Sequence, residues 1–166
     1  MSDHREGPAP LAVVDIDGVL ADVRHRLHHI SDGRRDWGGF FGEMDSDVLL
    51  VPGRSAVEDA ASEGLEIVYL TGRPEAYRDV TRAWLARHGL PEGTLHMRPD
   101  RDRRPARVFK VECLRRLSRR ARVAFMLDDD ADVVEAVRAA GFPALHAQWL
   151  GQDVALHDAQ ESEGRT

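Results

Sequence analysis

Cysteine is almost missing from this chain. Cys113 stands alone, which excludes an internal disulfide and a cysteine-rich zinc site and fits a reducing compartment. It falls in a helical pattern with no motif around it, so it reads as a packing residue and not as a nucleophile. No apolar run approaches the length of a membrane span, and Met1–Pro8 lacks the apolar segment of a signal peptide. The expected location is therefore the cytoplasm, with no membrane partner. There are no internal repeats. A positive overall charge is lacking too: the formal net charge of −6 argues against bulk attraction to a nucleic-acid backbone.

What is present suits one soluble globular domain. The chain has 166 residues, 42% of them hydrophobic and 31% charged, enough to bury a proper core. The average charge hides a polarity, because Arg98–Arg122 holds ten arginines and Lys110 against only Asp100, Asp102 and Glu112. Such a run is compatible with a phosphate-rich ligand, and equally with a solvated helix face.

The stretch Leu11–Leu20 reads as a buried strand running into two acids and a glycine turn. Leu11-Ala12-Val13-Val14 suits a strand covered on both faces. Asp15 and Asp17 then point the same way, because side chains alternate along an extended chain. Gly18 permits a sharp turn. Two carboxylates at a strand exit repel each other unless a cation lies between them, which points to a divalent-metal site. An ordinary Asx-type turn is the competing reading.

Taken in order, residues 1–10 are expected to be a disordered lead-in, 11–150 a single domain and 151–166 a polar, mobile tail. An insertion over 21–51 is too long for a tight connection and is expected to wall the site. It holds a possible short helix in Ala21–Ile30 and the run Asp36-Trp37-Gly38-Gly39-Phe40-Phe41. Pro52 opens a helix that Gly64 closes. Glu66–Leu70 is the second strand and leads into Thr71-Gly72-Arg73, after which Pro74 starts a helix ended by Gly89. Thr94–Met97 is a third strand, and a helix from Ala106 to Ser118 carries Lys110. Val123–Leu127 is the fourth strand and ends in Asp128-Asp129-Asp130; a helix over Ala131–Ala140 and a fifth strand at Ala144–Gln148 follow.

Strands alternating with helices imply an α/β fold with a parallel sheet and right-handed crossovers. Ligands of such sheets bind beyond the carboxyl ends of the strands. The paired acids, Thr71-Gly72-Arg73 and the Asp128 group all fall at that edge. Their chemistry suits phosphate-ester hydrolysis through a covalent intermediate, which needs a carboxylate nucleophile, a proton donor, and positive charge on the phosphoryl oxygens. Asp15 fits the nucleophile and Asp17 the general acid that later activates water. Thr71 offers a hydroxyl and local N–H groups at a helix start. Lys110 can hold Asp15 and neutralise phosphate, while Asp128 and Asp129 can complete a magnesium shell. Each has a plainer reading: Thr71 as a helix cap, Lys110 as a surface cation, Asp130 as a cap and Asp132 as a first-turn acid.

Asp15-Ile16-Asp17-Gly18-Val19, Thr71-Gly72-Arg73, Lys110 and Asp128-Asp129 resemble the four ordered motifs of the haloacid dehalogenase (HAD) superfamily. The resemblance implies a three-layer, doubly wound, Rossmann-like sheet of strand order 3-2-1-4-5, with a small insertion after the first strand and no large cap. It also implies an aspartyl-phosphate on Asp15, acid–base work by Asp17, and phosphate contacts from Thr71, Gly72 and Lys110. Magnesium would be held by Asp15, the Asp17 carbonyl, Asp128 and Asp129.

A narrower resemblance is to the 3′-phosphatase domain of polynucleotide kinase-phosphatases. Its marks are Arg26, Arg73, the Trp84–Leu90 run, Met97-Arg98-Pro99 and Val133-Val134-Glu135. It implies that Arg26 and Arg73 assist at the site and that the product is a 3′-hydroxyl end. One departure is Ala106, where relatives often carry an acid. Another is the lack of a Gly-rich P-loop ending in Lys-Ser/Thr, so the expectation is either a stand-alone phosphatase, with room for a separate kinase or ligase partner, or an enzyme that acts on something else. Arg24 is a further candidate for the substrate backbone. Trp37, Phe40 or Phe41 could stack on a terminal base or form the loop's own small core, and His25, His28 and His29 are expected to be surface or packing residues. The alternatives are a nucleotidase or small-metabolite phosphatase and, in another class, a non-catalytic phosphate-binding module.

Overall fold

A computed structural model describes residues 7–151 and 153–166. Most of the expected lead-in lies outside them. At the centre is β1 (Leu11–Val14), whose alternating side chains feed two apolar layers. Leu11 and Val13 pack with Phe109, Cys113, Leu114, Leu117, Val133, Val134 and Val137. Those residues come from α4 (Ala106–Leu117) and α5 (Ala131–Ala139). Ala12 and Val14 pack on the other face with Val57, Ala60, Trp84 and Leu85, from α2 (Val51–Ser62) and α3 (Arg78–Arg87).

Four further strands complete the parallel sheet: β4 (Glu66–Pro74), β5 (Gly93–Arg98), β6 (Val123–Asp128) and β7 (Ala144–His146). Their order is β5-β4-β1-β6-β7, which is 3-2-1-4-5 when the main-sheet strands are numbered along the chain. The register sets Val14 beside Tyr69 and Leu127. The residues just past β1, β4 and β6 therefore share one edge.

The insertion folds over that edge. It contains an antiparallel pair, β2 (Ala21–Asp22) and β3 (Val48–Leu49), a 3-10 turn at Arg24–His29, and α1 (Trp37–Gly42). Val23, Leu27, Ile30, Phe40, Phe41 and Met44 make a third apolar core, so Phe40 and Phe41 serve the insertion's own packing. Residues 151–166, expected to be a mobile polar tail, carry α6 (Val154–Glu161). Its Leu156 and Ala159 join the third core, which is what anchors the segment. No helix among the described residues is long and apolar enough to cross a membrane.

Candidate active site

The turn after β1 is tight: the Ile16 carbonyl accepts from Val19, Leu20 and Ala21 N–H, and Gly18 N–H donates to Ala21. Gly18 adopts φ +77°, a conformation that strains other residues. A Cβ there would also collide with the Asp129 carboxylate. The turn and the acid 129 thus depend on one another.

Asp15 follows directly, with Oδ1 accepting from Ile16 N–H at 2.8 Å. Its Oδ2 is 2.9 Å from Lys110 Nζ, which also donates to Asp128 Oδ2 at 2.7 Å. The second Asp128 oxygen accepts from Asp130 N–H at 3.0 Å. Asp15, Asp128 and Asp129 each place a carboxylate oxygen within 4.8 Å of the others. One buried ammonium therefore faces three carboxylates.

The electrostatics follow from that imbalance. Burial, and then repulsion from Asp128 and Asp17, lift Asp15 to about 7 despite Lys110. Burial raises Asp128, and burial with repulsion from Asp128 and Asp15 raises Asp129 far above the ordinary carboxylate range. Burial alone would lower Lys110, but Asp128 and Asp15 hold it charged. Asp129 Oδ1 is buried without a hydrogen-bond partner. An oxygen-only donor set, a surplus of negative charge and an orphaned carboxylate oxygen fit a hard divalent cation such as magnesium.

Asp17 has the opposite surroundings. Arg73 donates to its Oδ1 from Nε at 2.9 Å and Nη2 at 2.6 Å, and Arg26 from Nη2 at 3.0 Å. Burial would raise Asp17, but the two guanidiniums outweigh it and bring the carboxyl down to about 2. Its side chain is thus ionised, and only its carbonyl remains for the metal role the superfamily resemblance implies.

Both arginines are themselves buried and continue to Asp47. Arg26 donates to Asp47 from Nε (2.8 Å) and Nη2 (2.9 Å), and Arg73 from Nη2 (2.8 Å). Asp47 gave no signal in the sequence. Neither did Thr166, whose hydroxyl donates to Asp17 Oδ2 at 3.1 Å and whose carbonyl accepts from Arg98 Nη2 at 3.3 Å. Thr166 is packed so closely on Gly72 that a Cβ at position 72 would strike its backbone.

The second motif differs from expectation in its backbone. Thr71-Gly72-Arg73 lies inside β4, which runs through Pro74; a 3-10 turn at Glu75–Tyr77 separates it from α3. Pro74 caps that 3-10 turn, which leads without a break into α3, so a helix does start there as expected; it begins four residues after Thr71 and not directly behind it. The buried ion pairs of Arg73 draw the chain out in extended form. Thr71 Oγ1 accepts from Arg73 N–H at 3.2 Å.

Arg24 is not brought to the acids. It is exposed and pairs with Asp22 at 2.6 Å. It rims a cavity of about 270 Å³ that opens beside Gly18 and Asp129, with His146, His157 and Gln160 also on its wall. The histidines of the insertion are tied locally: His25 to Asp47, His28 to the His25 carbonyl, and His29 to Asp36. Much of the basic run is also spent on pairs, Arg104 with Asp102 and Glu112, Arg107 with Glu161, and Arg120 with Glu66.

A sequence profile of the polynucleotide kinase PNKP phosphatase domain matches residues 9–149. Among solved structures, a chain of the Pnkp1/Rnl/Hen1 RNA repair complex superposes with a TM-score of 0.69 at 28% identity. The match covers 83% of this chain and 42% of that one, so the present chain spans less than half of that relative. The class C acid phosphatase from Bacillus anthracis follows at TM-score 0.61 and 18% identity, covering 85% of this chain and 63% of that one. D,D-heptose 1.7-bisphosphate phosphatase from B. bronchiseptica, complexed with magnesium and phosphate, gives 0.53 and 18%, covering 84% and 80%. The last two are likenesses of fold. No curated protein sequence matches the chain.

Proposed function

This chain belongs to the family of polynucleotide kinase PNKP phosphatase domains, and is a HAD-type phosphatase; from that premise we propose that it removes 3′-phosphates from nucleic-acid ends through an aspartyl-phosphate on Asp15. The observation that carries the reading is the meeting of Asp15, Asp128, Asp129 and Lys110 at one sheet edge. Asp15, Asp128, Asp129 and the Asp17 carbonyl would hold magnesium. Bound there, the ion would offset the negative charge that otherwise keeps a carboxylate from an anionic ester.

Asp15, oriented by Lys110 and the Ile16 N–H, attacks phosphorus. The bond from phosphorus to the ester oxygen breaks, and that oxygen takes a proton from Asp17. A phosphate that competes for Arg26 and Arg73 weakens their hold on Asp17 and favours the protonated form this step needs. In the second half Asp17 accepts a proton from water as its oxygen attacks phosphorus, releasing inorganic phosphate and free Asp15. Thr71 and Gly72 are assigned to phosphate contacts, and Arg24, on the cavity rim, to the substrate backbone.

The family supports a nucleic-acid end. The second reading, a nucleotidase acting on mononucleotides, would use the same acids and Lys110. The compared structure is an RNA repair complex of Pnkp1 with Rnl and Hen1, which supports a separate repair partner here, such as a kinase or ligase. Phosphate release from 3′-phosphorylated and 5′-phosphorylated oligonucleotides and from mononucleotides, with magnesium and with chelator, tests the reading. Magnesium-dependent preference for the 3′-phosphorylated end is expected, and preference for mononucleotides would move the assignment to the second reading. Asp15→Asn should abolish turnover and leave the circular dichroism spectrum unchanged; retained activity would remove Asp15 as nucleophile.

A further inference from the structure

The insertion contributes one acid to the catalytic edge that neither the family motifs nor the metal set accounts for. Asp47 lies between a 3-10 turn at Met44–Ser46 and β3, with a side chain fully shielded from solvent. Its Oδ1 accepts from Arg26 Nε at 2.8 Å and lies 2.8 Å from His25 Nε2; its Oδ2 accepts from Arg26 Nη2 at 2.9 Å and Arg73 Nη2 at 2.8 Å. The Asp47 backbone is fixed as well, since its carbonyl accepts from Trp84 Nε1 at 2.9 Å.

The same two Nη2 groups donate to Asp17 Oδ1. Two guanidiniums thus stand between two carboxylates, and the four charges cancel. The outer faces of the arginines are also directed: Arg26 lies 4.2 Å over the Phe40 ring and donates to the Phe40 carbonyl at 3.3 Å, while Arg73 Nη1 reaches Thr81 Oγ1 at 3.4 Å. Asp47 is thus held both through its carbonyl and through the two arginines.

We propose that Asp47 is a positioning residue for phosphoryl transfer: it anchors Arg26 and Arg73 so that they can share their donors between Asp17 and an incoming phosphate without leaving the site. The proposal rests on the reading of Asp17 as the proton donor to the leaving oxygen. Removing the Asp47 charge leaves two buried guanidiniums facing one carboxylate. Their geometry then relaxes around Asp17 alone, and the aim of the Asp17 carboxyl at the ester oxygen is lost. A merely structural ion pair would not discriminate between leaving groups; a group that aims the acid does, because an alkoxide needs the proton and p-nitrophenolate does not.

The test compares wild type with Asp47→Asn and Asp47→Glu, with folding of each followed by thermal melting. For Asp47→Asn, kcat/KM on a 3′-phosphorylated oligonucleotide should fall about tenfold or more beyond its fall on p-nitrophenyl phosphate. Asp47→Glu keeps the charge but displaces it; it should show the same selective loss to a smaller degree, and it serves as the probe if the asparagine variant does not fold. Equal losses on both esters would overturn the proposal.

An independent readout needs no turnover: the Nε–H resonances of Arg26 and Arg73 in a 15N correlation spectrum should be protected in wild type and exchange-broadened in the variants. Unchanged signals would also overturn the proposal. Wild type that hydrolyses neither ester would instead overturn the phosphatase chemistry on which it rests.

Discussion

Lys110 is the chain's only lysine, and its ammonium is the sole cation bonded to Asp15 and Asp128 in the described residues. Lys110→Met would leave buried carboxylates without their counter-charge, a loss expected to cost about 3 kcal/mol or more in metal-free protein. Because Asp15 titrates near 7 even with the lysine present, acid pH should shrink that cost by neutralising the carboxyls. Urea unfolding of both proteins at neutral and acid pH checks the magnitude and the trend. The residues around Lys110 were legible because each sits at a strand end or on a helix face that periodicity reveals. Asp47 was not. It is one of several acids in an irregular loop, and its contacts with Arg26 and Arg73 exist only once the insertion has folded onto β4.

At the scale of elements, the departures from expectation have two causes. Thr-Gly-Arg-Pro has the composition of a turn, yet Arg73 is pulled inward by Asp17 and Asp47, and the strand continues through it. The C-terminal segment is polar along most of its length, and in α6 Leu156 and Ala159 are buried in the third core with Ala155 packed against it; one leucine and two alanines give too weak a periodic signal to read. The rest of its seat is specific. Arg107 pairs with Glu161, Arg35 with Glu163 at 3.0 Å, and Arg165 lies 5.2 Å over the Trp37 ring. Thr166 then rests on Asp17 and Gly72, two groups that the proposed reaction uses. If phosphate binds at Gly72 as proposed, it would contend with this segment for the same space, and saturating inorganic phosphate should increase proteolytic cleavage within residues 153–166. Unchanged or slower cleavage would show that the two are compatible.

For the whole molecule, the alternation of strands and helices made the sheet and its active edge readable from the sequence alone, while strand order entered only with the family resemblance. The same edge governs the response to pH. Asp15 is raised to about 7 and Asp130, through burial and its contact with Glu161, to about 6, from an ordinary value of 3.8. A carboxyl raised on folding favours the native state fully below its unfolded pKa, and that contribution is lost as pH climbs through the folded one. Metal-free protein should therefore lose stability between about pH 4 and about pH 7. Magnesium should raise Tm more above about pH 8 than below about pH 4, since only ionised carboxylates hold it. Differential scanning calorimetry with and without chelator measures both; a flat profile would contradict the crowding of acids.

The register that sets Val14 beside Leu127 has a kinetic corollary. Of the strand pairs in the main sheet, β1 with β6 spans the greatest length of chain, so docking them closes the longest loop and brings the like-charged Asp15 and Asp128 together. At neutral pH that topologically demanding step is opposed by charge, and a divalent ion held there, as proposed for the reaction, would also ease the chain's own assembly.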